Sequence, residues 1–164
     1  MMGSKGIKAV IMEKPETRYQ VDLADPEGFA AASKEFTQFL AGIAKNSPYH
    51  NVGTVANIAA TAPMAVLPVR NFSGGYCADH KKIGAEVFMK NLAERGGSNK
   101  KPCQPGCPIR CSNIYHDEKG EFLTAGFEYE TLGLCGSNLE IDDLDVIARI
   151  DRFCDDMGMD SIEI

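Results

Sequence analysis

The chain has 164 residues, 44% of them hydrophobic and 24% charged, with a formal net charge of −6. That length and composition suit one domain with a sizeable core, and the acidic balance argues against a basic surface for nucleic acid or anionic membranes. No apolar run approaches the roughly 20 residues of a bilayer crossing, and the opening segment lacks the features of a secretory signal, so a reducing cytoplasm is the expected location.

In chain order, Ile7 to Met12 alternates and is rich in β-branched residues, which predicts a short strand ended before Pro15. Asp25-Pro26-Glu27 opens a helix, with Asp as N-cap, Pro in the first turn and Glu favoured by the dipole. Phe29, Ala32, Phe36, Phe39, Leu40 and Ile43 then line one face to about Lys45, a stripe expected to lie in the core, and Asn46-Ser47-Pro48 ends it. Thr54 to Ala60 reads as a short helix. Asp79 is expected to cap a third, with Ile83, Val87, Phe88 and Leu92 in register and Gly96-Gly97 at its end. Ser98 to Pro102 reads as a basic, polar loop, and Asp117 to Gly120 as a hairpin or exposed turn. Glu128 to Leu134 and Leu144 to Met157 complete the helices, the latter with Leu144, Ile147, Ile150, Phe153 and Met157 on one side and Gly158 as C-cap. The expected fold is mainly α: a multihelical domain with a short N-terminal strand and an irregular cysteine-bearing loop.

That loop carries the most chemistry. Cys103, Cys107 and Cys111 fall in one short stretch, Cys-Gln-Pro-Gly-Cys-Pro-Ile-Arg-Cys. Thiols this close in a chain without a secretory signal point to metal before disulfides. Soft thiolates among prolines and a glycine suit an iron–sulfur cluster, although a cubane takes four protein ligands and the triplet is one short. Two other readings stay open: zinc completed by a distant fourth ligand, and buried free cysteines packing as small hydrophobes. Cys77, Cys135 and Cys154 are isolated and read as core filler. His50, His80 and His116 have no ligand spacing, and Ser73-Gly74-Gly75 is too short for a phosphate loop.

Several words in sequence order carry a resemblance. Gly106-Cys107-Pro108-Ile109-Arg110-Cys111 resembles the Gly-Cys-Pro-Ile-x-Cys segment of the tungsten-dependent aldehyde:ferredoxin oxidoreductase family. Phe127-Glu128-Tyr129-Glu130-Thr131-Leu132 is similar to its Pro-Glu-Tyr-Glu-Thr helix start. Ile141-Asp142-Asp143-Leu144 and Asp155-Asp156-Met157-Gly158-Met159-Asp160 resemble its Ile-Asp-Asp-Leu segment and its Asp-x-x-Gly-Leu-Asp motif. Met2-Gly3-Ser4-Lys5-Gly6-Ile7-Lys8-Ala9 is similar to the end of its first domain, and Leu67-Pro68-Val69-Arg70-Asn71-Phe72 also has a counterpart.

The resemblance implies roles by position. Cys103, Cys107 and Cys111 would bind three irons of a [4Fe-4S] cluster, although the family separates its first two cysteines by two residues and this chain by three. Asp155, Gly158 and Asp160 would hold the pterin of a bis-pterin tungsten (or molybdenum) cofactor. On the residues alone, Asp155-x-x-Gly-x-Asp is an acidic helix end with a C-cap glycine. Glu130 takes the position of the carboxylate beside the metal, a candidate for proton transfer, and Glu128 is its rival; a surface role at the helix start is open to both. The Glu-x-x-His pair of some members is replaced by Arg149-Ile150-Asp151-Arg152, so the interface metal site of those members is expected to be absent.

The chain is therefore expected to be a piece of a larger enzyme. Residues 1–14 would be the tail of an N-terminal cofactor domain and 15–164 a helical middle domain. Both cofactors would be shared with domains outside the chain, whose other partners would be a small aldehyde or acid and ferredoxin or a similar electron carrier. By itself such a piece is expected to be inactive. The alternative is a stand-alone iron–sulfur or zinc-binding module without catalysis.

Overall fold

The computed structural model describes residues 3–17 and 21–164. The chain forms two compact units, Met1–Leu40 and Ala41–Ile164. Met2 of the first motif lies outside the described residues.

In the first unit, Gly3–Lys5 is a 3-10 turn, and the expected strand at Ile7 to Met12 is irregular, exposed chain. Alternation specifies a strand only where a partner strand completes the hydrogen-bond ladder. Helix α1, Pro26–Ala44, starts as its sequence dictates: the Asp25 carboxylate accepts the Gly28 amide at 2.9 Å. Its phenylalanine stripe is not core. Phe29, Phe36 and Phe39 are 58%, 60% and 62% exposed, and of the whole helix only Ala44 is buried. Periodicity identifies an apolar face, whereas burial needs an element packed against it.

After the last turn of α1, the second unit continues with α2, Pro48–Val52, where the sequence suggested only a helix stop; Pro48 instead starts a new helix, as proline can in a first turn. Helix α3 is Ala56–Thr61. The segment after it contains three consecutive left-handed residues, Arg70, Asn71 and Phe72 (φ 50°, 50° and 61°). Asn138 holds them by accepting the Asn71 amide on its carbonyl at 3.0 Å and the Phe72 amide on its side chain at 3.1 Å. The third expected helix divides at Gly84 into a 3-10 turn, His80–Ile83, and α4, Ala85–Arg95. Asp79 makes no side-chain cap, and Gly84 is the N-cap of α4.

The residues expected as a basic loop form strand β1, Ser98–Lys101. It pairs antiparallel with β2, Ser112–His116, which pairs antiparallel with β3, Phe122–Ala125, giving the order β1-β2-β3. The hairpin expected around Asp117–Gly120 joins the last two. Lysines in β1 are compatible with an edge strand, where one face and one side meet water.

Helix α5, Tyr129–Thr131, continues as a π-helical stretch, Leu132–Gly136, and α6 is Leu144–Met157, capped by the Asp143 carboxylate on the amides of Asp145 and Val146. The fold is mainly α, as expected, with one small sheet that was not expected. The buried face of α6 is Leu144, Ile147, Ala148, Asp151 and Cys154, whereas Phe153 and Met157 are 59% and 62% exposed. Counting in steps of three drifts roughly 60° per step around a helix, which carried the expected stripe off the true face.

The core centres on Phe88, Tyr115 and Phe127, with ring centroids 5.4–5.8 Å apart. Burial pushes the Tyr115 phenol up to about 12, and its oxygen accepts from Asn91 at 2.8 Å and donates to Asp145 at 3.1 Å. Arg95 pairs with Asp145 at 2.5 Å beside it. Asn113 joins β2 to the start of α5, its side-chain amide donating to the Phe127 carbonyl at 2.8 Å. These contacts fix the chain on either side of the cysteine segment.

Candidate cofactor site

Two loops carry the candidate residues. The first runs from β1 to β2 and holds the cysteines. Gln104-Pro105-Gly106-Cys107 is a turn closed by the Cys107 amide on the Gln104 carbonyl at 3.3 Å, with Gly106 at φ 85°. Proline second and a positive-φ glycine third is the type II pattern. The turn folds Cys103 back towards Cys107, whose pKa its side chain helps to lower.

The two half-buried thiols of this loop shift in opposite directions. Backbone amides of Arg110 and Ile109 face the Cys107 sulfur and hold its pKa below the ordinary thiol value, with help from the Arg110 charge. Cys111 moves up, because burial disfavours its thiolate and the Glu128 carboxylate lies near. Arg110 itself sits at φ 54°, a left-handed conformation unusual for arginine. Such strain persists only where the surroundings impose it.

A segment 50 to 60 residues earlier imposes it. His50 Nδ1 donates to the Pro108 carbonyl at 3.0 Å. At Gly53, φ 80°, a Cβ would stand 2.7 Å from the Cys111 carbonyl oxygen, so only glycine admits this approach. The Asn99 side chain donates to the Asn51 carbonyl at 2.9 Å, tying β1 to the same segment. Thr54 Oγ1 donates to Glu128 Oε2 at 2.5 Å and accepts the Tyr129 amide at 3.0 Å. Glu128 is thus half-buried on the side of Cys111, while Glu130 is exposed in the first turn of α5.

The donor set fits a cluster. Amide donors on a thiolate stabilise its charge, and each cysteine of a cubane binds its own iron. Among the described residues no three His, Cys, Asp or Glu side chains converge on one point that would hold a single metal ion. Cys135 and Cys154 are buried, as expected of core thiols, and Cys77 is half-buried. The three histidines each meet a backbone carbonyl: Pro108, Cys77 and Arg95 for His50, His80 and His116.

The second loop follows α6. Gly158, at φ 67° and ψ 35°, donates to the Asp155 carbonyl at 3.1 Å, and Met159 donates to the Cys154 carbonyl at 2.8 Å. This pair is a Schellman end. Asp155 and Asp160 are exposed, and the Asp160 carboxylate accepts the Ile162 amide at 2.9 Å. A Cβ on Gly158 would meet nothing within 4 Å, so the glycine serves its backbone angle alone. Exposed carboxylates on a fixed turn fit a ligand that presents N–H donors.

Behind this loop lies a polar network that the sequence did not reveal. Asp151, 6% exposed, accepts Thr124 Oγ1 at 2.6 Å and Thr131 Oγ1 at 3.4 Å, and Thr131 Oγ1 pairs with Ser161 Oγ at 3.1 Å. Burial pushes the Asp151 carboxyl above its ordinary value, and the charges of Asp155 and Glu128 add to that, against the Thr124 and Thr131 hydrogen bonds. Asp151 was visible only as part of a motif that this chain lacks, and no local pattern marks its partners.

The fold is a mainly helical domain with thiols on one loop and carboxylates on another. Residues 31–164 match the family described as aldehyde ferredoxin oxidoreductase, domains 2 & 3, and the chain belongs to that family. It is 31% identical over 169 residues to the tungsten-containing aldehyde ferredoxin oxidoreductase of Pyrococcus furiosus, covering 99% of this chain and 26% of the relative. The Pyrococcus horikoshii enzyme of that name is 31% identical over 171 residues, 100% of this chain and 26% of its own length. That of Thermococcus kodakarensis is 28% identical over 167 residues, 99% and 26%. The chain thus spans about a quarter of the length of these relatives. Among the described residues, no helix is long and apolar enough to cross a membrane.

Proposed function

We propose that the chain is the central domain of an aldehyde:ferredoxin oxidoreductase-like enzyme. Residues 15–164 form a helical middle domain and 1–14 the tail of the cofactor domain before it. Cys103, Cys107 and Cys111 supply three ligands of a [4Fe-4S] cluster, and Asp155, Gly158 and Asp160 contact the pterin of a tungsten or molybdenum cofactor. Both groups are shared with the rest of the parent enzyme.

The observation that carries this reading is the cysteine turn itself. A type II turn sets the Cys103–Cys107 segment, and the backbone amides of Arg110 and Ile109 lower the Cys107 pKa. It lies in a chain matched along its length by tungsten enzymes of that name.

When bound, the metal–pterin centre and the cluster supply the two-electron chemistry and carry the electrons towards ferredoxin or a similar carrier. The chain's residues do the rest. The amides of Ile109 and Arg110 hold charge on Cys107. Asp155 and Asp160 accept hydrogen bonds from the pterin. Taking an aldehyde to an acid releases protons, and Glu130 Oε is the carboxylate that accepts one, its register to Asp155 following the family's without a gap. Small aldehydes or acids are the substrates, and the location is cytoplasmic.

Anaerobic reconstitution of the 164-residue chain with iron, sulfide and an excess of a small thiol, which supplies the fourth ligand, tests the cluster. Iron and sulfide in about equal amounts, lost on Cys107→Ser, are expected; zinc uptake, or no metal at all, overturns the reading in favour of a zinc module or a domain that binds nothing. Glu130→Gln and Glu128→Gln in the complete enzyme test the base. Glu130→Gln is expected to lower kcat by about 10²–10⁴, the scale of general-base loss, with tungsten and iron content unchanged. An equal or larger loss in Glu128→Gln would give the role to the carboxylate beside Cys111.

A further inference from the structure

Asp151 is a carboxylate 6% exposed on the inner face of α6, and no salt bridge among the described residues involves it. Burying such a group is unfavourable, and an apolar residue on the same helix face would pack without that cost. Its neighbours are hydroxyls rather than cations: Thr124 from β3, 0% exposed, and Thr131 from α5, 5% exposed. Thr131 extends the contact to Ser161, whose carbonyl also accepts the Cys135 thiol at 3.6 Å.

The two ends of this chain of contacts are informative. Thr131 follows Glu130 in α5, and Ser161 follows Asp160 in the loop after α6. A hydroxyl carries one proton. If Thr131 donates to Asp151, its oxygen is left to accept from Ser161, so the chain runs Ser161 to Thr131 to Asp151 with one polarity. The carboxylate terminates it on one oxygen, Oδ1, while Thr124 from the sheet bonds the other, Oδ2.

We propose that Asp151 is a positioning residue that, through Thr131 and Ser161, holds the Asp160 loop against α5 and so sets the spacing between Asp160 and Glu130. The meaning of that spacing rests on the functional reading above, whereas the anchoring itself does not.

Two substitutions of the same shape separate anchoring from general packing. Thr131→Val cuts the arm to Ser161, and Thr124→Val cuts the arm to the sheet; both remove one hydrogen bond of a buried threonine to Asp151. Amide hydrogen exchange is measured at Ile162 and Ile164, whose amides bond to Asp160. Thr131→Val is expected to raise exchange there about tenfold, the scale of one lost hydrogen bond, with Thr131→Ser restoring protection and Thr124→Val leaving it unchanged. Equal effects of Thr124→Val and Thr131→Val, or none in Thr131→Val, overturn the anchoring. In the complete enzyme, Thr131→Val is expected to lower kcat with tungsten retained, and Thr131→Ser to rescue it. A loosened loop with unchanged kcat would keep the anchor and overturn its catalytic meaning.

Discussion

The cysteine turn and the acidic loop after α6 are both short, exposed-edged segments with a glycine at positive φ, yet they are held in different ways. The turn is braced from behind by a segment far away in sequence: His50 on the Pro108 carbonyl, Gly53 against the Cys111 carbonyl, Thr54 on Glu128. The acidic loop is closed by its own helix end and tied down at Ser161, by the Thr131 hydroxyl and the Cys135 thiol. A segment that must aim several sulfurs needs walls on more than one side. One that offers carboxylates to a ligand needs only a fixed backbone and open space in front.

The comparison breaks first at the thiols. In the reconstituted chain, Cys107→Ser is expected to lose most of the bound iron, and Asp155→Asn to lose none, as measured by iron and sulfide content. Iron loss in Asp155→Asn would mean that the two loops are one unit.

The glycines sharpen it next. Gly53→Ala adds a Cβ 2.7 Å from a backbone oxygen as well as a left-handed alanine, so about 2–3 kcal/mol of destabilisation is expected in urea unfolding. Gly158→Ala meets the angle alone and should cost about 1 kcal/mol. Similar costs at both would show that the wall behind the cysteines yields.

Thiol reactivity gives a smaller but more local measure. In the metal-free chain Cys107 should be alkylated faster than Cys111 at neutral pH, because amide donors favour its thiolate while burial and Glu128 disfavour that of Cys111. Mass-spectrometric timing of carbamidomethylation checks this, and the reverse order would mean that the amides do not point at the sulfur.

Smallest is a pH slope. The carboxyl of Asp151 is raised by burial and by neighbouring carboxylates, so the folded state holds its proton more tightly than the unfolded one. Its contribution to stability is present below the ordinary value of 3.8 and is lost as pH rises through the raised value. Asp151→Asn should therefore gain on the wild type as pH rises through that window, in urea midpoints taken at a series of pH values. A gain in the opposite direction would mean that the threonine hydroxyls outweigh the burial.

Much of this was legible beforehand because it is local. The Asp25 cap, the Leu144–Met157 helix with its Gly158 end, and the hairpin around Asp117–Gly120 depend on residues within a few positions of one another. The cysteine spacing and the order of motifs indicated the family for the same reason. The failures were matters of partnership. Ile7–Met12 had strand periodicity without a partner strand, the phenylalanines of α1 stayed exposed, and Ser98–Lys101 found a partner strand in β2 that its polar sequence did not announce.

The sequence by itself determined the mainly helical content, the helix ends at Asp25 and Gly158, the family and the identities of the thiols and carboxylates, since these follow from chemistry encoded residue by residue. Tertiary structure alone decided which carboxylate stands beside Cys111, which face of α6 is buried, and that Asp151 ends a hydroxyl chain reaching Ser161. Those outcomes depend on which groups lose water together, and contacts between residues tens of positions apart leave no mark on either neighbourhood.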